Sequence, residues 1–285
     1  MITGKTRLTG LLGSPVAHSI SPLMHNEAFR LLDLDYAYLC FDLKEKDMEE
    51  AVKALKLLNV RGFNCTMPVK IRMCELADRL SPAAELIGAV NTVVNEDGTF
   101  VGHNTDGIGF TEALRSCGYE VKGKKITLLG AGGAATAMAV QAALDGALEI
   151  NVFNRKTRSW SRGQQLVDNL NKKTSCKAAL YDLDDETELR LRLADSDLLA
   201  NGTPSGMAPD TDLTPIPDPT MLHDELTVFD AIYNPRETRL LREAAQRGCH
   251  TQNGLYMLLY QGAAAFRLWT GQEMPVEQIK EKFFQ

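Results

Sequence analysis

The stretch KKITLLGAGGAATAMAVQAAL, residues 124–144, decides the fold. It opens as a short apolar run suited to a buried strand, passes through clustered glycines, and continues into alanine-rich sequence that favours a helix. Gly130, Gly132 and Ala135 form a G-x-G-x-x-A pattern at that junction. Gly130 permits the tight turn, Gly132 lets the backbone approach a pyrophosphate, and small Ala135 lets the helix lie close to the sheet with its N-terminal amides facing the anion. A purely structural glycine turn is the competing reading, and the surrounding pattern weighs against it. Helices expected at 134–144, 164–171 and 186–193 alternate with strands at 126–130, 149–153, 178–181 and 197–201. Parallel neighbours need crossover helices, so a doubly wound parallel sheet of Rossmann type is the economical fold. Beyond a Pro-rich loop at 204–219, a further strand at 226–230 and a helix at 238–246 complete this region.

Cofactor choice should be legible at the end of the second strand, because an acid about 20 residues beyond the glycines holds the ribose 2′-hydroxyl in NAD enzymes. None is there: INVF runs into NRKTRSWSR, residues 154–162, and the next acid is Asp168. Arg155, Lys156, Arg158 and Arg162 instead put four cations within nine residues of an acidic chain. A forked guanidinium such as that of Arg155 suits a 2′-phosphate, so NADP is favoured over NAD; a solvated basic turn is the alternative.

Working towards the N-terminus, strands and helices alternate again. An apolar run at 7–13, a helix at 23–32, a strand at 36–41, a helix at 48–58, a strand at 61–65 and a helical stretch after Pro68 follow in order. Residues 89–95 and 99–102 read as a hairpin joined by Glu96-Asp97-Gly98, where Asp-Gly is a strong turn signal. A helix at 108–115 ends at Gly118, and KGKK at 122–125 leads into the decisive strand. The expected α/β architecture is therefore two-domain, dividing near 118.

The chain of 285 residues is long enough for about two domains at roughly 150 residues each. Hydrophobic residues at 44% and charged residues at 24% describe an ordinary globular protein. A formal charge of −6 provides no global positive field for nucleic acid or anionic lipid. Two 19-residue stretches without Asp, Glu, Lys or Arg, 126–144 and 248–266, reach membrane-spanning length, but glycines interrupt the first and polar side chains the second. Six scattered cysteines without a C-x-x-C pair suit a reducing compartment, and MITGKTRLTG lacks signal-peptide order, so a cytoplasmic location is expected. The five histidines form no metal-ligand spacing, and no P-loop is present.

Outside the glycine motif, HSISPLMHN (18–26), NCTMPVK (64–70), AVNTVV (89–94) and HNTDG (103–107) cluster polar residues with backbone punctuation. Together with GAGGAA, NR and the C-terminal NGLYMLLYQGA, these motifs run nearly end to end in an order that resembles the shikimate dehydrogenase family, including its quinate/shikimate branch. Each residue also has a plainer reading. Ser19 and Ser21 project to one side of an extended chain, where two hydroxyls suit a carboxylate; Ser21-Pro22 equally reads as an N-cap and first helical residue. Lys70 falls in the first turn of a helix, where the dipole disfavours a cation, and is otherwise an exposed lysine. Asp106 also reads as a helix cap.

The resemblance implies an N-terminal substrate domain over 1–118, completed by C-terminal helices within 254–285, beside a dinucleotide domain over 119–253. It implies that Lys70 is the catalytic proton-transfer residue and that Asp106 is paired with it. It likewise implies that Ser19 and Ser21 hold the substrate carboxylate, that Thr66, Asn91 and Gln261 bond the ring hydroxyls, and that Tyr233 lies near the substrate. For the cofactor it implies Gly130, Ala131, Gly132, Gly133 and Ala134, then Asn154, Arg155, Lys156 and Arg158, with Thr203 and Gly254. Cys65 stands where the family often has Val. Lys156 and Thr157 depart from the N-R-T-x-x-R of its NADP enzymes, and Thr157 stands where some quinate enzymes have Asp. The expected activity is reversible, NADP-dependent interconversion of shikimate and 3-dehydroshikimate in a cleft between the domains. Quinate oxidation with NAD is the second enzymatic reading, and a catalytically silent ligand sensor is the reading from another class. The expected partners are small molecules rather than nucleic acid or membrane, in a monomer or homodimer, with no metal.

Overall fold

The computed structural model of the chain describes residues 2–157 and 159–285, which form two compact units. The first unit runs to Thr105 and resumes over Leu259–Gln285; the second is Asp106–Leu258.

In the first unit, β1 (Arg7–Gly13), α1 (Ser21–Leu31), β2 (Tyr36–Asp42), α2 (Met48–Leu57), β3 (Gly62–Cys65), α3 (Lys70–Leu76), β4 (Arg79–Leu80), α4 (Pro82–Ile87), β5 (Thr92–Glu96) and β6 (Thr99–His103) follow one another. The strands lie in the order β2-β1-β3-β5-β6-β4. β1 is parallel to β2 and β3, β5 is antiparallel to β3 and β6, and β6 is parallel to β4. The carboxyl ends of β1, β3 and β6 and the start of β5 consequently share one edge of the sheet. The β5–β6 turn is as expected: Asp97 and Gly98 both take positive φ, 52° and 90°, the conformation a two-residue hairpin requires of its central residues. Leu12, Val52, Leu55, Phe63, Met73, Val93 and Phe100 build one core cluster. A second packs His25 and Phe29 of α1 with Tyr38, Phe266 and Trp269. Trp269 is locked by its indole N–H, which donates to the Val93 carbonyl at 2.9 Å.

The second unit holds α5 (Asp106–Ser116), β7 (Lys125–Leu129), α6 (Gly133–Leu144), β8 (Glu149–Asn154), α7 (Trp160–Lys173), β9 (Lys177–Asp182), α8 (Glu186–Ala194), β10 (Leu198–Asn201), β11 (Thr227–Asp230), α9 (Arg239–Gln246) and β12 (His250–Asn253). Its sheet runs β12-β11-β10-β7-β8-β9, every pairing parallel. The first strand, β7, sits in the middle and later strands extend to either side, which is the doubly wound arrangement. α10 (Leu255–Thr270) passes from the second unit into the first, and α11 (Val276–Phe283) closes the chain. Among the described residues no helix is long and apolar enough to cross a membrane.

Four features differ from the sequence expectation. The units divide at Thr105 and Leu258 rather than at 118 and 253, because α5 packs on α6: a Cβ at Gly107 would lie 2.5 Å from the Ala137 carbonyl oxygen. The strands β4 and β12 and the helix α4 had no forecast. β12, reading HTQN, is a short polar edge strand without the apolar alternation that reveals inner strands.

Candidate active site

The glycine motif sits where β7 gives way to α6. Gly130 has φ +97°, and its N–H donates to the Phe153 carbonyl at 2.7 Å, so the chain leaves β7 in a conformation glycine accepts at little cost. A Cβ at Gly132 or Gly133 would meet nothing within 4 Å. Packing of the chain on itself therefore does not require glycine at either position, while open space for a ligand does favour it. Gly132 is the N-cap of α6, so the amides of that helix's first turn border the same space. Ala131 is buried, whereas Ala134 is half-buried. The close helix approach falls at Gly202, whose Cβ would lie 2.8 Å from the Ala135 Cα and 2.9 Å from its nitrogen.

These contrasts separate two kinds of glycine. Gly202→Ala is expected to destabilise the protein by about 1–3 kcal/mol, because backbone must move. Gly132→Ala is expected to leave the melting temperature within about 1 °C and to weaken dinucleotide binding by about tenfold. Thermal melts alongside nucleotide titrations measure both effects.

β10 and β7 are neighbours from which the chain departs to opposite sides, the place where ligands settle in doubly wound sheets. Thr203 lies there, its Cγ2 3.0 Å from where a Gly130 Cβ would stand. Its N–H and hydroxyl donate to Asn201 Oδ1 at 3.0 and 2.7 Å, and Asn201 Nδ2 donates to Asp230 at 3.0 Å. Asp230 also accepts from the Ile232 N–H and the Thr238 hydroxyl. Burial pushes the Asp230 carboxyl above its ordinary range, and these three hydrogen bonds pull the other way. Gly254 has a packing role of its own, since a Cβ there would overlap the Ala231 carbonyl.

At the end of β8, Asn154 Nδ2 donates to Ser159 Oγ at 3.0 Å. Arg155 pairs with Asp184 at 3.4 Å and Lys156 with Asp182 at 3.1 Å. Arg158 lies outside the described residues. The absence of an acid in the sequence just after β8 is thus only half of the matter, because β9 pairs with β8 in a register that sets Asp182 beside Asn154.

In the first unit, Ser19, Ser21, Thr66, Lys70 and Asn91 all follow or precede strands at the shared edge. Ser21 is the first residue of α1 with Ile20 as N-cap, so the capping role read for Ser21 is corrected. Ser19 Oγ accepts the Ser21 N–H at 3.2 Å, and the Ser21 side chain hydrogen-bonds the Tyr38 phenol. Tyr38 donates to Asn64 Oδ1 at 2.8 Å, and Asn64 Nδ2 donates to Thr92 Oγ1 at 2.9 Å and to the Asn91 carbonyl at 3.1 Å. Asn91 Oδ1 accepts the Thr105 N–H at 2.7 Å, while its Nδ2 donates to Thr105 Oγ1 at 3.0 Å and reaches Gln261 Oε1 at 3.5 Å. One buried polar network therefore joins Ser21, Asn91 and Gln261 through side chains the motifs did not single out.

Thr66 is tied by its N–H to the Leu12 carbonyl at 2.9 Å and follows β3 directly. Lys70 opens α3, half-buried, and its carbonyl accepts the Val90 N–H at 3.0 Å, which fixes the lysine segment to the one carrying Asn91. Burial pushes the neighbouring Cys65 thiol up, with the Lys70 charge acting against this, so Cys65 stays a neutral core residue. Asp106 and Tyr233 belong to the second unit: Asp106 is the first residue of α5, immediately after Thr105, and Tyr233 is exposed in the loop after β11. No cluster of potential metal ligands occurs among the described residues.

Residues 11–93 match the family model for the shikimate dehydrogenase substrate binding domain, and residues 254–282 match that for the shikimate 5′-dehydrogenase C-terminal domain. The shikimate dehydrogenase (NADP(+)) of Listeria monocytogenes serotype 4b (strain F2365) is 50% identical over 283 residues, covering 99% of this chain and 97% of the relative. A solved Listeria monocytogenes shikimate 5-dehydrogenase, in complex with shikimate and NAD, superposes with a TM-score of 0.96 at 50% identity, over 98% of this chain and 97% of that one. A second solved shikimate dehydrogenase, in complex with NADP+, gives 0.86 at 42% identity over 99% and 96%. With half of all positions shared along almost the entire length, and with the same two-unit fold, the chain belongs to the shikimate dehydrogenase family.

Proposed function

We propose that this protein catalyses the reversible NADP-dependent interconversion of shikimate and 3-dehydroshikimate. The observation that carries this reading is the 50% identity to a shikimate dehydrogenase (NADP(+)) along nearly the whole chain, and it is supported by the polar network that ties Asn91 to Gln261 in the first unit and by the open glycine turn of the second. Oxidation of a secondary alcohol removes a hydride from carbon and a proton from oxygen, and NADP, when bound, supplies the hydride acceptor. Gly130 to Ala134, Thr203 and Gly254 would hold its pyrophosphate and nicotinamide half, and Asn154, Arg155, Lys156 and Arg158 its adenosine phosphate. The Ser19 and Ser21 hydroxyls donate to the ring carboxylate, Ser21 by turning its O–H away from the Tyr38 phenol, which fixes one end of the substrate. Thr66, Asn91 and Gln261 bond the ring hydroxyls, and the amide groups of Asn91 are already oriented by Thr105. Lys70 Nζ takes the proton of the reacting hydroxyl and returns it in reduction, with Asp106 orienting the pair. Tyr233 lies beside the substrate.

Substrate and nucleotide partners are small molecules in this reading, the protein is a monomer or homodimer, and its location is the cytoplasm, which suits six free cysteines. In this reading residues 1–118 with 254–285, Asp106 included, serve the substrate and 119–253 the cofactor, apart from Tyr233, which serves the substrate, and Gly254, which serves the cofactor. Initial rates for shikimate and quinate, each with NADP and NAD, test the proposal at 340 nm. The highest kcat/KM is expected for shikimate with NADP. Equal or better rates for quinate with NAD would overturn it, as would binding of both ligands without any absorbance change.

A further inference from the structure

The sequence presents the turn after β8 as a basic cluster, yet the fold sets two acids against it. Asp182 ends β9, the edge strand paired with β8, and lies in register with Asn154. Asp184 follows two residues later in the same turn, its N–H donating to Asp182 Oδ1 at 3.2 Å. Lys156 meets Asp182 at 3.1 Å and Arg155 meets Asp184 at 3.4 Å, so these four side chains carry no net charge. Lys156 also lies over the Trp160 ring, 5.7 Å from its centroid. The Asp182 carboxylate is the more enclosed of the two acids, at 23% exposed against 70% for Asp184.

We propose that Asp182 and Asp184 set the chain's discrimination between NADP and NAD, by occupying the cations that would receive a 2′-phosphate. The inference rests on the NADP reading above. A dianionic phosphate entering this turn must draw Arg155 and Lys156 away from two carboxylates and then remain near them, a cost that a ribose 2′-hydroxyl does not carry. The pairs are solvent-exposed and break readily, so the acids attenuate phosphate preference without abolishing it. Asp182 is also placed as an acceptor on the neighbouring strand, where the sequence after β8 offers none.

Asp182→Asn and Asp184→Asn remove the charges and keep side-chain acceptors, so the amide oxygen introduced at position 182 can still accept the N–H of residue 184. The probes are adenosine 2′,5′-bisphosphate and adenosine 5′-monophosphate, titrated calorimetrically, with NADPH and NADH followed by fluorescence. Each substitution is expected to lower the Kd for the bisphosphate and for NADPH by about 2- to 5-fold, and the double variant by about tenfold, with the monophosphate and NADH unchanged. The gains are expected to shrink in high salt. If the wild type prefers the bisphosphate and the variants do not differ from it, or if both probes shift equally, the inference is overturned and the NADP reading stands. If the wild type binds both probes alike, the NADP reading and the inference fail together.

Discussion

Lys70→Ala lowers kcat for shikimate oxidation by about 10²-fold or more, while the Kd for NADPH stays within about twofold of wild type. The size follows from the chemistry: general acid–base assistance by a positioned side chain is worth about 10²–10⁴-fold, or about 2.7 kcal/mol at the lower end. The selectivity follows from where Lys70 stands. Its backbone carbonyl ties α3 to Val90, a bond that truncation of the side chain keeps. The nucleotide-binding turn belongs to the other unit, which the substitution does not touch. Lys70→Arg is expected to be nearly as poor, since a guanidinium stays charged and cannot serve as the base that takes the hydroxyl proton. Steady-state kinetics together with nucleotide titration decide the matter. Turnover that survives Lys70→Ala removes the lysine from the mechanism, whereas a parallel loss of NADPH binding identifies it as a structural residue.

What could be read without coordinates was whatever is written locally. The glycine turn at Gly130, the Asp97-Gly98 hairpin and the alternation of strands with helices each depend on residues a few positions apart, and the structure contains them all. Register and strand order are different in kind. Asp182 reaches the turn after β8 because β9 pairs with β8, and nothing near Arg155 in the chain announces it. Tyr38, Asn64, Thr92 and Thr105 lie on β2, β3, β5 and the segment after β6, and only the placing of β1 between β2 and β3 brings the phenol of one to the amide of the next. Even Ser21, whose sequence context reads as a helix cap, stands one position inside the helix, which leaves its hydroxyl to Tyr38. Short polar strands such as β12 escape for a related reason: their pairing comes from neighbours, not from their own periodicity.

The second large effect concerns acid. Unfolding free energy is expected to fall by about 1.4 kcal/mol for each pH unit below about 6.5 through His25 alone. His25 is fully buried on α1, its ring stacked on Tyr38 at 4.5 Å between centroids and flanked by Trp269 at 5.2 Å and by Phe29 and Phe266, each at 6.3 Å. Neither ring nitrogen has a hydrogen-bond partner among the described residues. A charge placed among these aromatic rings would lose its hydration, so burial lowers the imidazole pKa from 6.5 to about 3. The unfolded chain accordingly takes up a proton near pH 6.5 that the folded chain refuses until about pH 3. The contribution is complete above the unfolded value and is lost as pH falls through this window, reaching about 2 kcal/mol by pH 5, a large share of a typical 5–15 kcal/mol. His103, also lowered by burial, acts in the same direction, so the slope must be assigned by substitution. His25→Phe keeps the stacking and removes the titration. Any packing penalty it brings is independent of pH and offsets the curve without tilting it. Urea unfolding of both proteins from pH 7.5 to 4.5 should show the wild type losing stability faster by about 1.4 kcal/mol per unit. Parallel curves would mean that His25 reaches a proton in the folded state.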